Sequence, residues 1–307
     1  MSGHLNLEPG FHQNISPEDY HADRLCSRPT LSRSLAEVFL TKAPIHGFAA
    51  HPRLAPAAAG DVDDDATAAM DFGTLGHALL LGKGAEIEVG DWNDFKTNAA
   101  KDWRKTVRAA GKTAILRKTY DRGIALRDGA LGWLDKLGLK TAFLEAQSEV
   151  VALFDDATVR CRVMYDKINL STGQIYDIKI TESANPKACE RQIVNMSYDL
   201  QEVFYRKGVK HLLPMLAGRE KFTFLFIENK YPFCVTPMEL NGEFQTLGES
   251  KYGFAYAVWL LCNQNNQWPA YTDRVVRAAP PGWALNAEFG RDLPTFKEEN
   301  PTTNPTT

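Results

Sequence analysis

The sequence predicts a layered α/β fold, α+β in the order of its elements, with helices on either side of a central sheet. Three observations predict it. Near residue 143 the apolar pattern changes from helical spacing to alternation, as in "AQSEVVALF", "TVRCRVMYDKINL" and "GQIYDIKIT". The turn-forming runs "DDAT" and "STG" cut this alternating region into strands, as in an antiparallel meander. Helical patterns stand before and after it, so the sheet can be covered by helices. With 307 residues the chain is long enough to bury a sizeable core.

Taken in order, residues 1–30 read as an irregular arm. "SRPTLSRSLAEVFLTKAP" then offers Ser and Thr caps ahead of a short amphipathic helix. The Ala- and Asp-rich "AHPRLAPAAAGDVDDDAT" reads as a solvated loop or helix start. "AAMDFGTLGHALLLG" (68–82) is an apolar helix with small residues on one side, and 98–139 reads as long, highly charged helices. After the meander come a helix around 186–210 and a strand pair in "KFTFLFIENKYPFCVTPMEL". A long helix over about 242–265 follows, and the polar, Pro-rich tail "KEENPTTNPTT" is expected to be disordered. The expected division is an arm over 1–30, one domain over 31–290 and a tail over 291–307.

Composition narrows the function classes. Hydrophobic content of 44% and charged content of 24% are ordinary for a globular chain. The net charge of −3 carries no global signature of nucleic-acid binding, although it leaves room for a local basic channel. No apolar run is long enough for a membrane span, and the first residues lack a signal-peptide pattern, so the expected location is cytoplasmic and no membrane partner is expected. The five cysteines, Cys26, Cys161, Cys189, Cys234 and Cys262, are scattered and contain no CxxC pair. That spacing argues against a disulfide framework, a local zinc site or an iron–sulfur cluster.

The chemistry concentrates in "CRVMYDKINLSTGQIYDIKIT" (161–181). Residues two apart in a strand point to one side, so Asp177 and Lys179 share a face while Ile178 and Ile180 share the other. Asp166 precedes a turn short enough to bring it beside Asp177. Two neighbouring carboxylates repel unless a cation joins them, and hard oxygen ligands suit Mg²⁺ or Mn²⁺. A salt-bridged hairpin on a wet sheet face explains the same residues. Glu149 could add a third carboxylate or be a surface strand residue. His77, beside Gly73 and Gly76, reads as a ligand or as a core histidine. Gln201 and Tyr205 lie four apart on one helical face, which is also ordinary amphipathic packing. Lys101, Arg104, Lys105, Arg108, Lys112, Arg117 and Lys118, interleaved with Trp103, form either a nucleic-acid surface or a solvated helix face.

The order of these features is more telling than any one. Gly-x-x-Gly-His, then Glu, Asp, Asp-x-Lys and Gln-x-x-x-Tyr resembles the PD-(D/E)XK nuclease superfamily. It is most similar to the exonuclease VIII (RecE)-type and lambda-exonuclease-like domains of phage and prophage genomes. The resemblance runs over about residues 14–285 and includes "MDFGTLGHALLLG" and "SYDLQEVFYRKG". One departure is Tyr165, which stands before Asp166 where the superfamily name has proline.

The resemblance implies a restriction-endonuclease-like core with a mixed sheet flanked by helices. It implies Asp166 and Asp177 as catalytic metal ligands, His77 completing the metal shell, and Lys179 as the lysine that positions water. Glu149 would be an additional acidic catalytic residue, and Gln201 and Tyr205 would contact DNA or support the site. The implied cofactor is Mg²⁺, with Mn²⁺ substituting. The implied activity is a 5′-to-3′ exonuclease on double-stranded DNA ends, supplying single strand for recombination by annealing. A single-strand annealing protein and a ring-shaped homotrimer or homotetramer are the implied partners. An endonuclease, a single-strand nuclease and a catalytically silent DNA-binding subunit are the competing readings.

Overall fold

The computed structural model describes residues 3–55, 68–84 and 86–290. The acidic run at 61–65 and the C-terminal tail therefore lie outside the described residues. The chain divides into two compact units, Met1–Ala270 and Tyr271–Thr307.

The first unit starts with strand β1 (Gly10–His12) and helix α1 (Pro17–His21). Ser16 caps α1 by accepting from Asp19 N, and Pro17 begins it. The short strand β2 (Leu31–Ser32) runs into helix α2 (Arg33–Thr41), which Ser32 caps at Leu35 N. Helices α3 (Pro44–Ala50) and α4 (Ala68–Leu81) follow. The stretch 98–139, expected to be all helix, holds more. Helix α5 (Asn98–Ala109) ends near Gly111 (φ 75°), and "TAIL" then forms strand β4 (Thr113–Leu116). It pairs in parallel with β3 (Ile87–Gly90), burying Ala114 and Ile115, before α6 (Arg117–Lys136) and α7 (Lys140–Glu145). Four residues of strand inside a charged helical pattern carry too little alternation to stand out.

The meander forms as expected: β5 (Gln147–Asp156), β6 (Val159–Asn169) and β7 (Gln174–Thr181). The helix expected over 186–210 is two, α8 (Pro186–Asn195) and α9 (Tyr198–Leu212). Ser197, in the left-handed region (φ 48°), breaks them. The Arg33 guanidinium holds that break by donating to the carbonyls of Met196 and Ser197. Strands β8 (Lys221–Glu228) and β9 (Val235–Met238) and helix α10 (Gly242–Asn265) complete the unit. The second unit holds helix α11 (Gly282–Phe289), with Trp283 and Phe289 exposed.

The main sheet is mixed, in the order β1-β5-β6-β7-β8-β9, with β2 added in parallel to the start of β6. The N-terminal stretch read as an irregular arm thus contributes an edge strand, β1, antiparallel to β5. One face packs against α2, α9 and α10 through Phe39, Phe204, Phe224 and Trp259. The other packs against α4, α6 and α7 through Leu75, Leu126, Phe143 and Leu225. Each such buried side chain contributes about 1.5–3 kcal/mol of transfer free energy. No helix among the described residues is long and apolar enough to cross a membrane.

Candidate active site

The site lies at a fork between β6 and β7. Their antiparallel ladder runs Asn169↔Gln174, Ile168↔Ile175, Lys167↔Tyr176 and stops there. The next two positions in that register are Asp166 and Asp177. From this point β7 continues beside β8, while the start of β6 pairs with β2 instead. In place of a ladder bond, Asp166 Oδ2 accepts the Ile178 N–H at 2.7 Å. On the other side of β6 the ladder to β5 pairs Lys167 with Ser148 and Tyr165 with Val150. It skips the position between, where Glu149 faces Asp166 with its backbone in the left-handed region (φ 50°). Glu149, Asp166 and Asp177 therefore form one row across three adjacent strands.

Helix α4 brings His77 to the row. Gly76 makes the approach possible, because a Cβ there would lie 2.4 Å from Ile180 Cδ1. Gly73 has open space instead and lines, with Thr74, His77, Ala78, Gly84 and Glu149, a cleft of about 280 Å³. His77 Nε2 sits 3.1 Å from Asp166 Oδ2 and 3.3 Å from the Ile178 carbonyl. Burial disfavours a charged imidazole, but the Asp166 carboxylate outweighs it and raises the His77 pKa to about 9. Burial likewise opposes the Asp166 anion, and His77 and then Lys179 overcome it, holding that carboxyl below its usual range.

Asp177, 2% exposed, is held from β7 and from α9. Gln201 Nε2 donates to its Oδ2 at 2.5 Å, and Lys179 Nζ lies 2.5 Å from Oδ1. Gln201 Oε1 also accepts from Lys179 Nζ at 3.1 Å, so one amide bridges the acid and the ammonium. Burial pushes Asp177 up to about 6 despite Lys179, and the charge on Asp166 adds to the rise. For Lys179, burial works against the ammonium and Asp177 outweighs it, leaving the pKa above its ordinary value. Glu149 is raised by burial and by Asp166.

The structure thus gathers His77, Asp166, Asp177, Lys179 and Gln201 at one fork, with Glu149 on its cleft side. Tyr205 stands behind them: its ring packs edge-on against Tyr165 at 5.4 Å, and its carbonyl accepts the Tyr165 hydroxyl. Tyr198 was not anticipated. It starts α9 three residues before Gln201, and its ring lies 4.4 Å from Lys179 Nζ. The i, i+3 spacing to Gln201 was the available signal.

The basic stretch is partly neutralised. Lys112 pairs with Glu86 and Glu88, and Arg117 with Asp91, while Lys101, Lys105 and Lys118 are exposed. Trp103 stacks on Phe95 at 6.3 Å and closes against Gly90, where a Cβ would meet its ring at 2.6 Å. That contact gives Trp103 a packing role. Arg104 lies over Phe95 at 4.7 Å.

The donor set suits a divalent cation in kind: two carboxylates and an imidazole. Among the described residues no three His, Cys, Asp or Glu side chains already converge on one point. Asp166 and Asp177 are instead balanced by His77 and Lys179.

Comparison with solved structures gives an inferred exonuclease from Eubacterium rectale, 10% identical, with a TM-score of 0.51 over 90% of this chain and 99% of that one. At that identity the likeness concerns the fold. A phage-related exonuclease from Haemophilus somnus, also 10% identical, covers 78% of this chain and 96% of its own, but its TM-score of 0.32 is too low to argue from. No curated protein sequence matches the chain. The family model described as a PDDEXK-like domain of unknown function (DUF3799) matches residues 50–276. With the fork between β6 and β7 at its centre, the chain belongs to this PDDEXK-like family.

Proposed function

We propose that the protein is a Mg²⁺-dependent DNA exonuclease acting 5′ to 3′ on double-stranded ends, with Mn²⁺ able to replace Mg²⁺. The observation that carries the reading is the acid row Glu149, Asp166, Asp177 at a strand fork, bridged by Gln201 to Lys179. Asp166, Asp177 and His77 would hold the cation. When bound, it would supply Lewis-acid stabilisation of the phosphodiester and a more acidic water.

The remaining work falls to the chain's own residues. Lys179, held between Asp177 and Gln201, would orient the attacking water and offset negative charge on the phosphate. Gln201 would keep the ammonium and the Asp177 carboxylate in one geometry. Glu149, at the cleft, would take a proton or a second contact from the incoming water. Tyr205 would support the strand that carries Asp166. Exposed Lys101, Lys105 and Lys118 would contact DNA backbone, and the single strand produced would pass to an annealing protein in recombination.

The test is release of nucleotides from linear duplex DNA with Mg²⁺ or Mn²⁺, compared with a closed circle of the same sequence. End-dependent release by the wild type, lost in Asp177→Ala and Lys179→Ala, is expected. Cutting of the closed circle would make it an endonuclease, and preference for single-stranded ends a single-strand nuclease. Wild-type activity in either variant would refute the assignment of the site.

A further inference from the structure

Lys179 is held by more than its two polar partners. Its Nζ lies 4.4 Å from the centre of the Tyr198 ring and 5.9 Å from that of Phe224. Tyr198 is 8% exposed and stacks on Phe224 at 5.5 Å with an interplanar angle of 24°. Phe226 stands behind at 6.3 Å. Phe224 and Phe226 are the β8 partners of Asp177 and Lys179, so the strand that positions the charged pair also builds an aromatic floor beneath it.

An ammonium has three N–H donors. Asp177 and Gln201 take two sides of this one. A ring face attracts the cation electrostatically without accepting a directional hydrogen bond. It can therefore restrain Nζ while leaving an N–H free to turn towards a substrate oxygen. A third carboxylate or carbonyl in the same place would claim that N–H.

We propose that Tyr198 is a positioning residue for Lys179, its π face fixing the ammonium against Asp177 and Gln201. The proposal rests on the nuclease reading of the site. Tyr198 acts through the lysine and does not touch the phosphodiester. Its place is set by the break at Ser197, which Arg33 secures, so that Tyr198 and Gln201 present one helical face to Lys179.

Packing alone would also bury a tyrosine here, and progressive fluorination separates the two roles. Phe, 4-fluoro-Phe, 3,5-difluoro-Phe and 3,4,5-trifluoro-Phe are placed at position 198 of the full chain. Fluorine drains the negative face of the ring and barely changes its shape. Tyr198→Phe should keep kcat within about twofold of wild type, with a stepwise fall of about 3- to 30-fold by the trifluoro ring and KM steady. Denaturant melts of the same series are run with Lys179 and with Lys179→Met. The midpoint should fall along the series only when Lys179 is present.

Flat kcat and parallel melts in both backgrounds would overturn the proposal. So would coupled melts with a flat kcat, since the contact would then serve folding and not the reaction. Absence of cleavage by the wild type overturns the nuclease reading instead, and the melts then decide the contact by themselves.

Discussion

Replacing Gln201 by alanine is the sharpest test of how the fork is organised. Gln201 is 6% exposed, donates to Asp177 Oδ2 at 2.5 Å and accepts from Lys179 Nζ at 3.1 Å. Both bonds involve a charged partner, and each is worth about 1.5–3 kcal/mol. Asp177 Oδ1 and Lys179 Nζ already lie 2.5 Å apart, so that ion pair persists without the amide and cannot tighten to replace the two lost bonds. The expected loss of stability is therefore about 3–6 kcal/mol. The kinetic loss is a separate effect. A catalytic group displaced by about 1 Å costs about 10²-fold in rate, and it should appear in kcat while KM changes little. The assay pairs single-turnover release of nucleotides from linear duplex DNA with urea melts. A kcat within about threefold of wild type, alongside the expected loss of stability, would refute the bridging role of Gln201.

Two further outcomes follow from packing and charge. A Cβ on Gly248 of α10 would lie 2.4 Å from the Asp199 carbonyl oxygen, whereas Gly253 on the same helix has open space. Gly253→Ala should stabilise by about 1 kcal/mol through helix propensity. Gly248→Ala should instead destabilise by up to about 2 kcal/mol, overpacking outweighing the same gain, and differential scanning calorimetry reads both. Asp23 is fully buried against Arg162, His51 and Thr30. Burial opposes its charge, but His51 and Arg162 outweigh this and hold its carboxyl below the ordinary 3.8. A depressed carboxylate contributes stability that is present above the unfolded value and lost as pH falls through the folded one. Asp23→Asn, which tolerates the left-handed backbone there (φ 54°), should cost about 3 kcal/mol near neutrality by leaving Arg162 unpaired. The gap to wild type should narrow in urea melts as pH drops below 3.8.

The sequence by itself determined what is local. Alternation placed Asp177 and Lys179 on one face of β7, because the strand period of two needs no partner to be read. "DDAT" and "STG" marked the ends of β5 to β7, and Gly76 beside His77 marked a helix that packs closely. The four-residue spacing put Gln201 and Tyr205 on one side of α9. The break at Ser197 and the strand β4 were not legible. One depends on a guanidinium from α2, and the other on a parallel partner well before it in the chain.

Only the tertiary structure decided who meets whom. Period two says which face a residue takes, but not which residue stands across from it, since that depends on register between distant segments. The row Glu149, Asp166, Asp177 exists because β6 leaves β7 for β2 at one particular pair. The position of Lys179 Nζ was equally beyond the sequence. A long flexible side chain is placed by what surrounds its end, and here that is Asp177 from its own strand, Gln201 and Tyr198 from α9, and Phe224 from β8.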